Sequence, residues 1–476
     1  MKMRIESDSI GSMDVPANAY YGIQSLRSSN NFHITKSTLH KDLIISLAEI
    51  KKAAAITNRE ADLLNPPIAN AIINACDEII NGKLHDQFIV DPIQGGAGTS
   101  ANMNANEVIA NRAIELLGEL KGCYNIIHPN DHVNMAQSTN DVFPTAGKLT
   151  VLKMLPKTIA ELQRLYNALK LKSLEFNNVI KMGRTQLQDA VPIRLGQSFN
   201  AFASMIKRDI ERLKTAEKEM LSVNIGGTAI GTSINVSPEY LENIAPNLRK
   251  ICGFDIIQSK DLIDATQNLD CFVSVSSILK TCAVNLSKMA NDLRLLSSGP
   301  KTGLAEIILP SMQNGSSIMP GKVNPVILEV VSQVAFNIIG NDFTITMAAE
   351  AGQLELNAFE PVLFYNLFES IETLENATRT LIDNCILGIT ANEDRCKELL
   401  DNSVGIVTAL CPYIGYKKSS DLAKKALKSG ISIKELVLSE EILTSEELET
   451  ILDPISMTEI NYSSDLDSKE NINKAI

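Results

Sequence analysis

The chain has 476 residues, 45% of them hydrophobic but only 5% aromatic, with no Trp. That length allows two or three domains, and a core of Leu, Ile, Val and Ala suits helices better than β-sandwiches. A formal charge of -12 argues against nucleic-acid or anionic-membrane partners, which require a basic face.

Residues 1–36 are punctuated by Gly, Pro, Ser and Asn and read as irregular, with no apolar signal region. Helical periodicity begins near Lys41, and up to about Asn140 shorter helices alternate with Gly- and Asn-rich loops. Long helical patterns follow at about 146–178, 195–222, 324–350 and 361–389. Between them, residues 261–296 lack Gly and Pro and read as one long helix. Leu262, Ala265, Leu269, Phe272, Leu279, Ala283, Leu286, Ala290 and Leu293 form a coiled-coil-like seam. Cys271, Val275, Ile278, Cys282 and Met289 form a second apolar stripe beside it. Such a helix spans roughly 50 Å, and burial on two faces calls for a bundle shared between subunits. Farther on, Ser432-x-x-Glu435 and Thr444-x-x-Glu447 read as capping boxes starting two short helices. The tail from Asn461 is polar. The expected fold is all-α in three domains: 1–140, 141–394, and a small C-terminal domain with its tail, 395–476. No apolar run reaches transmembrane length, and the eight cysteines contain no C-x-x-C pair. The chain reads as soluble and cytoplasmic, with its thiols reduced.

Four loops share an unusual chemistry of glycine with small hydroxyl and amide side chains. They are Gly95-Gly96-Ala97-Gly98-Thr99-Ser100, Gln137-Ser138-Thr139-Asn140-Asp141, Gly183-Arg184-Thr185-Gln186, and the run from Gly315 to Pro325. Glycine lets backbone N–H groups approach a ligand, the side chains add donors, and Lys322 adds charge. Together they describe a site for a small anionic molecule. Individually, most have plainer readings. The first serves equally as a loop leading into a helix capped by Ser100, and the second as an N-cap cluster. Gly226-Gly227-Thr228-Ala229-Ile230-Gly231 reads equally as a flexible hairpin. Gly96-x-Gly98-x-x-Ala101 is a poor dinucleotide fingerprint, because Asp91-Pro92 breaks any preceding strand. His128 and His132 stand four apart but lack an H-E-x-x-H pattern, so they read as loop histidines rather than metal ligands.

The run Gly315-Ser316-Ser317-Ile318-Met319-Pro320-Gly321-Lys322-Val323-Asn324-Pro325 has no such plain reading. It resembles the signature of the aspartase/fumarase superfamily, and the resemblance extends from Asn18 to about Pro454. Tyr20-Tyr21-Gly22-Ile23-Gln24, the run from Gly183 to Pro192, the run from Ala348 to Leu354 and Gly388-Ile389-Thr390-Ala391-Asn392 lean toward the aspartase branch. The resemblance implies a homotetramer, with L-aspartate and fumarate as ligands. The chemistry needs no electron-sink cofactor, and no metal-ligand motif is present. The functional segments near 99, 139, 185 and 316 lie at ends or breaks of long, stiff helices, which calls for composite sites completed by neighbouring subunits. Ser316 matches the general base. Thr99, Ser138, Thr139 and Ser317 match donors to the β-carboxylate. Lys322 and Asn324 match the pair on the other carboxylate. Asn140, Thr185 and Gln186 match the surroundings of the amino group. The signature loop is expected to act as a lid. Two positions depart or fail to discriminate: Ser233 stands where the family has glycine, and Gly321 also occurs in fumarases.

The implied chemistry removes a proton from the carbon next to the β-carboxylate. The doubly negative aci-carboxylate that results needs preorganised donors, and neutral hydroxyls supply them with no proton to lose. A serine base needs its alkoxide stabilised by a cation such as Lys322 and by backbone N–H groups. The alternative within the superfamily is a class II fumarase. Its leaving hydroxide needs an acid, and fumarases similar to this chain carry His where Gln186 stands, a side chain that cannot shuttle protons near neutral pH. An inactive binding protein that keeps the fold is the reading from another class.

Overall fold

The computed structural model describes residues 2–315, 317–453 and 455–459. Ser316 and the polar tail from Asn461 therefore lie outside the described residues.

The chain is helical, with four two-stranded ribbons as its only sheets among the described residues. The helices that matter for the site are α1 (Ile23–Asn31), α2 (Lys41–Glu60), α3 (Pro66–Ile80), α4 (Thr99–Leu116), α5 (Thr139–Glu175), α6 (Leu195–Glu219), α7 (Pro238–Cys252), α8 (Leu262–Gln267), α9 (Asp270–Leu296), α10 (Val326–Glu350) and α11 (Glu360–Asn384). All five long patterns in the sequence correspond to helices. The stretch 261–296 is nevertheless two, because α8 ends at a C-cap, Asn268, whose backbone is extended. The seam itself is buried from Leu269 to Leu293.

Residues 1–36 are more ordered than their composition suggests. Strands β1 (Met3–Asp8) and β2 (Gly11–Pro16) pair as an antiparallel hairpin, and α1 follows. No local side chain caps α1. The buried Glu107 of α4 does so from a distance, accepting from the backbone N–H groups of Gly22, Gln24 and Ser25 at 2.8–3.0 Å. Glu6 accepts from Ile23 N–H at 2.8 Å. A Cβ on Gly22 would lie 2.5 Å from the Tyr124 hydroxyl, so the Tyr20–Gln24 run is a tertiary anchor that helix periodicity cannot reveal.

The fold divides into two compact units, 1–162 with 208–286 and 333–377, and 163–207 with 287–332 and 378–476. In the first, α2 packs on α3 and α7, and α3 packs on α4. Phe143, Phe272, Phe364 and Phe368 form an aromatic cluster with ring centroids 5.0–5.5 Å apart. Gly147 faces Phe364 so closely that a Cβ would meet the ring at 2.1 Å. In the second unit, Leu400, Ile406, Leu410, Leu422, Leu436 and Val437 form a core joined by Met182. Both expected capping boxes, at Ser432 and Thr444, are present there.

One expectation needs correcting. By length and composition α10 is apolar enough to cross a membrane. Its polar residues, including Ser332, Asn341 and Asp342, interrupt the pattern without breaking the apolar average.

Candidate active site

The first unit holds four of the predicted residues at the N-termini of α4 and α5. The turn into α4 runs through Gly96, Ala97 and Gly98 at φ 88°, 54° and 87°. At Gly98 a Cβ would come within 2.4 Å of the Phe143 ring, so only glycine allows the start of α4 to lie against α5. Gly98, not Ser100, occupies the N-cap position, because the left-handed turn closes two residues earlier than the hydroxyl pattern suggests. Thr99 is exposed, and its hydroxyl donates to Gly96 O at 2.7 Å.

At α5, unlike α4, the plain capping reading holds. Ser138 Oγ accepts from Asn140 N–H at 3.2 Å, and Asp141 Oδ1 accepts from Ser138 N–H at 2.9 Å. Thr139 is buried, and its hydroxyl accepts from Asn102 Nδ2 at 3.1 Å. Asn140 Nδ2 donates to Ala229 O at 2.7 Å. The other oxygen of Asp141 accepts from Gly226 and Thr228 N–H, both at 3.0 Å. The segment 226–231 is therefore no hairpin. It is a tight turn laced to the start of α5 and seated on α8, where a Cβ on Gly231 would meet Ile263 N at 2.4 Å. Burial pushes the Asp141 carboxyl up to about 6, against three backbone donors that pull it down.

Behind these residues lies a network of amides. Asn134 Oδ1 accepts from Lys51 Nζ at 2.8 Å and from Asn102 and Asn106 Nδ2, each at 3.2 Å. Lys51 also donates to Gln137 Oε1 at 2.9 Å. The two histidines once weighed as a metal pair are used locally. His132 Nδ1 accepts from His128 N–H at 2.8 Å, and His128 Nδ1 accepts from Asn130 and Asp131 N–H at 3.2 Å.

The second unit holds the others. Strands β3 (Ile180–Thr185) and β4 (Gln188–Arg194) form a hairpin whose two tip residues, Gln186 and Leu187, have φ 54° and 63°. Positive φ at both positions defines the type I′ turn, which favours Asn and Gly. Two larger side chains there hold strain at the exposed tip carrying Thr185 and Gln186. The hairpin is held by the fully buried Glu306, which pairs with Lys181 near its base at 3.2 Å and with Arg184 near its tip at 2.9 Å. Glu306 stands just before the short strand Ile307–Ile308, which leads into the signature loop.

Ser317 and Lys322 are exposed on that loop, and Asn324 is half-buried at its exit into α10. The loop closes on itself where Gly315 meets the Lys322 carbonyl, leaving no room for a Cβ, and Gly321 has φ 82°. A cavity of about 700 Å³ is lined by Gly315, Ser317, Gly321 and Lys322 with residues 311–314 and Val323.

Thr99, Ser138, Thr139 and Asn140 are thus brought together in one unit. Ser317, Lys322 and Asn324 share one loop in the other unit, with Thr185 and Gln186 on a hairpin tied to that loop's approach. Sequence reasoning missed Lys51, Asn102, Asn134 and Glu306, and placed Asp141 in a candidate loop without giving it a role of its own. One signal was available for Lys51: it sits four residues after Leu47 and three before Ala54, on the apolar face of α2.

Comparison with known proteins identifies the family. Residues 11–340 match the family described as "Lyase", and residues 406–459 match "Fumarase C C-terminus". The chain is 52% identical to the aspartate ammonia-lyase of Bacillus subtilis (strain 168) over 455 residues, 96% of each chain. It is 48% identical to that of Escherichia coli (strain K12), covering 94% of this chain and 95% of the relative. Among solved structures, the fumarate lyase:delta crystallin from Brucella melitensis superposes with TM-score 0.94 at 50% identity, covering 96% of this chain and 100% of that one. The class II fumarase of Schistosoma mansoni gives TM-score 0.92 at 36% identity, covering 96% and 99%. With matches of this extent in sequence and in fold, the chain belongs to the aspartase/fumarase superfamily of lyases, on the side of the aspartate ammonia-lyases.

Proposed function

We infer that this chain is a carbon–nitrogen lyase that reversibly eliminates ammonia from L-aspartate to give fumarate. The observation that carries the reading is the pair of adjoining helix N-termini bearing Thr99 and residues 138–140. They carry neutral hydroxyl groups suited to an anion, and those of Ser138 and Thr139 accept from the protein and keep their own protons to give, in a chain about half identical to aspartate ammonia-lyases along nearly its whole length. In the proposed mechanism Ser316 removes the proton anti to the leaving amine. Thr99, Ser138, Thr139 and Ser317 hold the aci-carboxylate, and Lys322 with Asn324 holds the other carboxylate. Asn140, Thr185 and Gln186 surround the amino group, which leaves already protonated and needs no acid. The test is a fumarate absorbance assay with L-aspartate and L-malate side by side. Fumarate from aspartate, with almost none from malate, is expected. Malate as the faster substrate would transfer the assignment to the fumarase alternative, whose fold is shared.

The same proposal includes a homotetramer with sites completed by neighbouring subunits. Its support is the apolar stripe that α10 leaves uncovered: Phe336, Ile339, Phe343 and Met347, between 37% and 70% exposed. Their steps of three and four place them on one face, while Asp342, away from that stripe, pairs with Lys280 of α9. A second copy of this chain covers the stripe in the proposed assembly, which reads α10 as an interface helix rather than a membrane span. Cytoplasmic residence is supported by eight free thiols. The division into 1–140, 141–394 and 395–476 stands as a proposal, supported at its C-terminal end by the apolar cluster around Leu422 and Val437, to which Met182 alone among the fully buried members contributes from before residue 395.

A further inference from the structure

Lys51 is the feature that the mechanism above leaves unused. It is fully buried in the middle of α2. Among the described residues its ammonium makes no salt bridge, and its hydrogen-bond partners are two neutral side-chain amide oxygens, of Asn134 and Gln137. Burying a lone ammonium is costly, so α2 carries an expense that packing alone does not explain. A leucine or methionine would fill the same space.

The direction of the hydrogen bonds shows where that charge is felt. Asn134 Oδ1 accepts from Lys51, and the same oxygen accepts from Asn102 Nδ2. Asn102 Nδ2 also donates to Thr139 Oγ1, while Asn102 Oδ1 is buried without a partner. The Asn102 amide is therefore oriented with its donor toward Thr139, at the cost of an unsatisfied acceptor. A hydroxyl that accepts from the protein has its own proton left to give, so Thr139 is set as a donor to whatever occupies the site. Gln137, the second partner of Lys51, immediately precedes Ser138. Its Nε2 donates to Val133 O at 3.0 Å, which fixes the turn leading to both donors. The titratable groups facing Lys51 are Asp141 from α5 and Cys76 from α3. The Asp141 charge is already shared among three backbone N–H groups, and burial keeps the Cys76 thiol protonated by raising its pKa.

We propose that Lys51 is a positioning residue that presents Thr139 as a donor and places a positive charge behind it, stabilising the doubly negative carboxylate more than the singly charged one. This rests on the reading of Thr139 as a β-carboxylate donor and deepens it. A charge that acts through two amides in a low-dielectric interior is felt most when negative charge develops in front of it. Burial lowers the Lys51 pKa to about 7, and an arriving dianion favours the protonated form.

The test compares two competitive ligands. Succinate carries an ordinary β-carboxylate. The nitronate of 3-nitropropionate carries two negative oxygens on a nitrogen that is double-bonded to a planar carbon, in the shape of the aci-carboxylate, where a carbon holds the two oxygens. The wild-type protein is expected to bind the nitronate far more tightly. Lys51→Gln, which keeps a donor but removes the charge, is expected to lose at least about tenfold more affinity for the nitronate than for succinate. Lys51→Arg is expected to keep most of the preference. Should Lys51→Gln fail to fold, Asn134→Asp serves instead, because it sets a carboxylate beside the ammonium in the same volume and cancels the charge; the same selective loss is expected. Equal losses for both ligands in the variant that folds would reduce Lys51 to a structural residue and overturn the proposal. A wild-type protein that turns over no aspartate and prefers neither ligand would instead sink the underlying assignment of function.

Discussion

Arg184 donates from one nitrogen to both oxygens of Glu306, at 2.9 and 3.1 Å. Arg184 immediately precedes Thr185 on the hairpin, and Glu306 lies on the approach to the signature loop, so one buried carboxylate anchors two predicted functional segments. The arrangement is reinforced by Lys181 and by backbone bonds, with Asn392 N–H donating to Glu306 O at 3.0 Å. Glu306→Ala leaves two cations facing a buried void. A loss of about 3–5 kcal/mol is expected for breaking such a pair from one side, measured by urea unfolding. A loss below about 1 kcal/mol would show that the cations find other partners.

Gly98 makes a second prediction. Alanine there needs φ near 87° and a Cβ 2.4 Å from the Phe143 ring. Gly98→Ala is expected to cost on the order of 1–3 kcal/mol and to push the start of α4, with Thr99, away from α5. The double variant Gly98→Ala with Phe143→Leu should recover part of the stability and activity. No recovery would mean that the backbone angle, rather than the ring, sets the cost.

Ser316 and the composite site are tested together. Ser316→Ala is expected to keep the helical circular dichroism and to lower turnover by several orders of magnitude, beyond the roughly 10²–10⁴ of ordinary general-base loss. Mixing that protein with inactive Thr99→Ala or Thr185→Ala protein, then unfolding and reassembling the two together, should restore partial activity. A well-folded mixed oligomer with no activity would count against shared sites.

The pH dependence of stability follows from Lys51. Its folded value of about 7 lies below the ordinary lysine value of about 10.4. Between the two the unfolded chain holds a proton that the folded chain does not, so this group makes stability rise with pH across that window, and its cost is greatest below the folded value. Lys51→Met removes the term. Any stability advantage of that variant should shrink by up to about 1.4 kcal/mol for each pH unit above about 7. Denaturant melts of both proteins at about pH 7 and about pH 8.5 measure it, and a constant difference would contradict the shift.

Much of the architecture is written locally. The long helices are legible because apolar residues recur at helical spacing over 25 residues or more, as in α9 and α10. The capping boxes at Ser432 and Thr444 are legible because each closes within four residues. The candidate loops stand out by composition alone, since glycine beside Ser, Thr and Asn marks backbone left open to a ligand. The signature run around Ser317 and Lys322 needs only its order of residues to be recognised.

Other features required distant parts of the chain to meet. Nothing near Ile23 announces α1, because its cap comes from Glu107, 85 residues beyond Gly22. The start of α4 moved from Ser100 to Gly98 because the Phe143 ring, 45 residues on from Gly98, admits only glycine there. Lys51 stands out in sequence only as a charge on the apolar face of a helix. Its meaning appears only when Asn134 and Gln137 fold over it and leave it without a carboxylate. Periodicity and capping are properties of neighbours along the chain, so the sequence alone determines them. The partner of a buried charge, and the donor that a hydroxyl accepts from, are chosen by residues tens of positions away, and only the tertiary structure decides them.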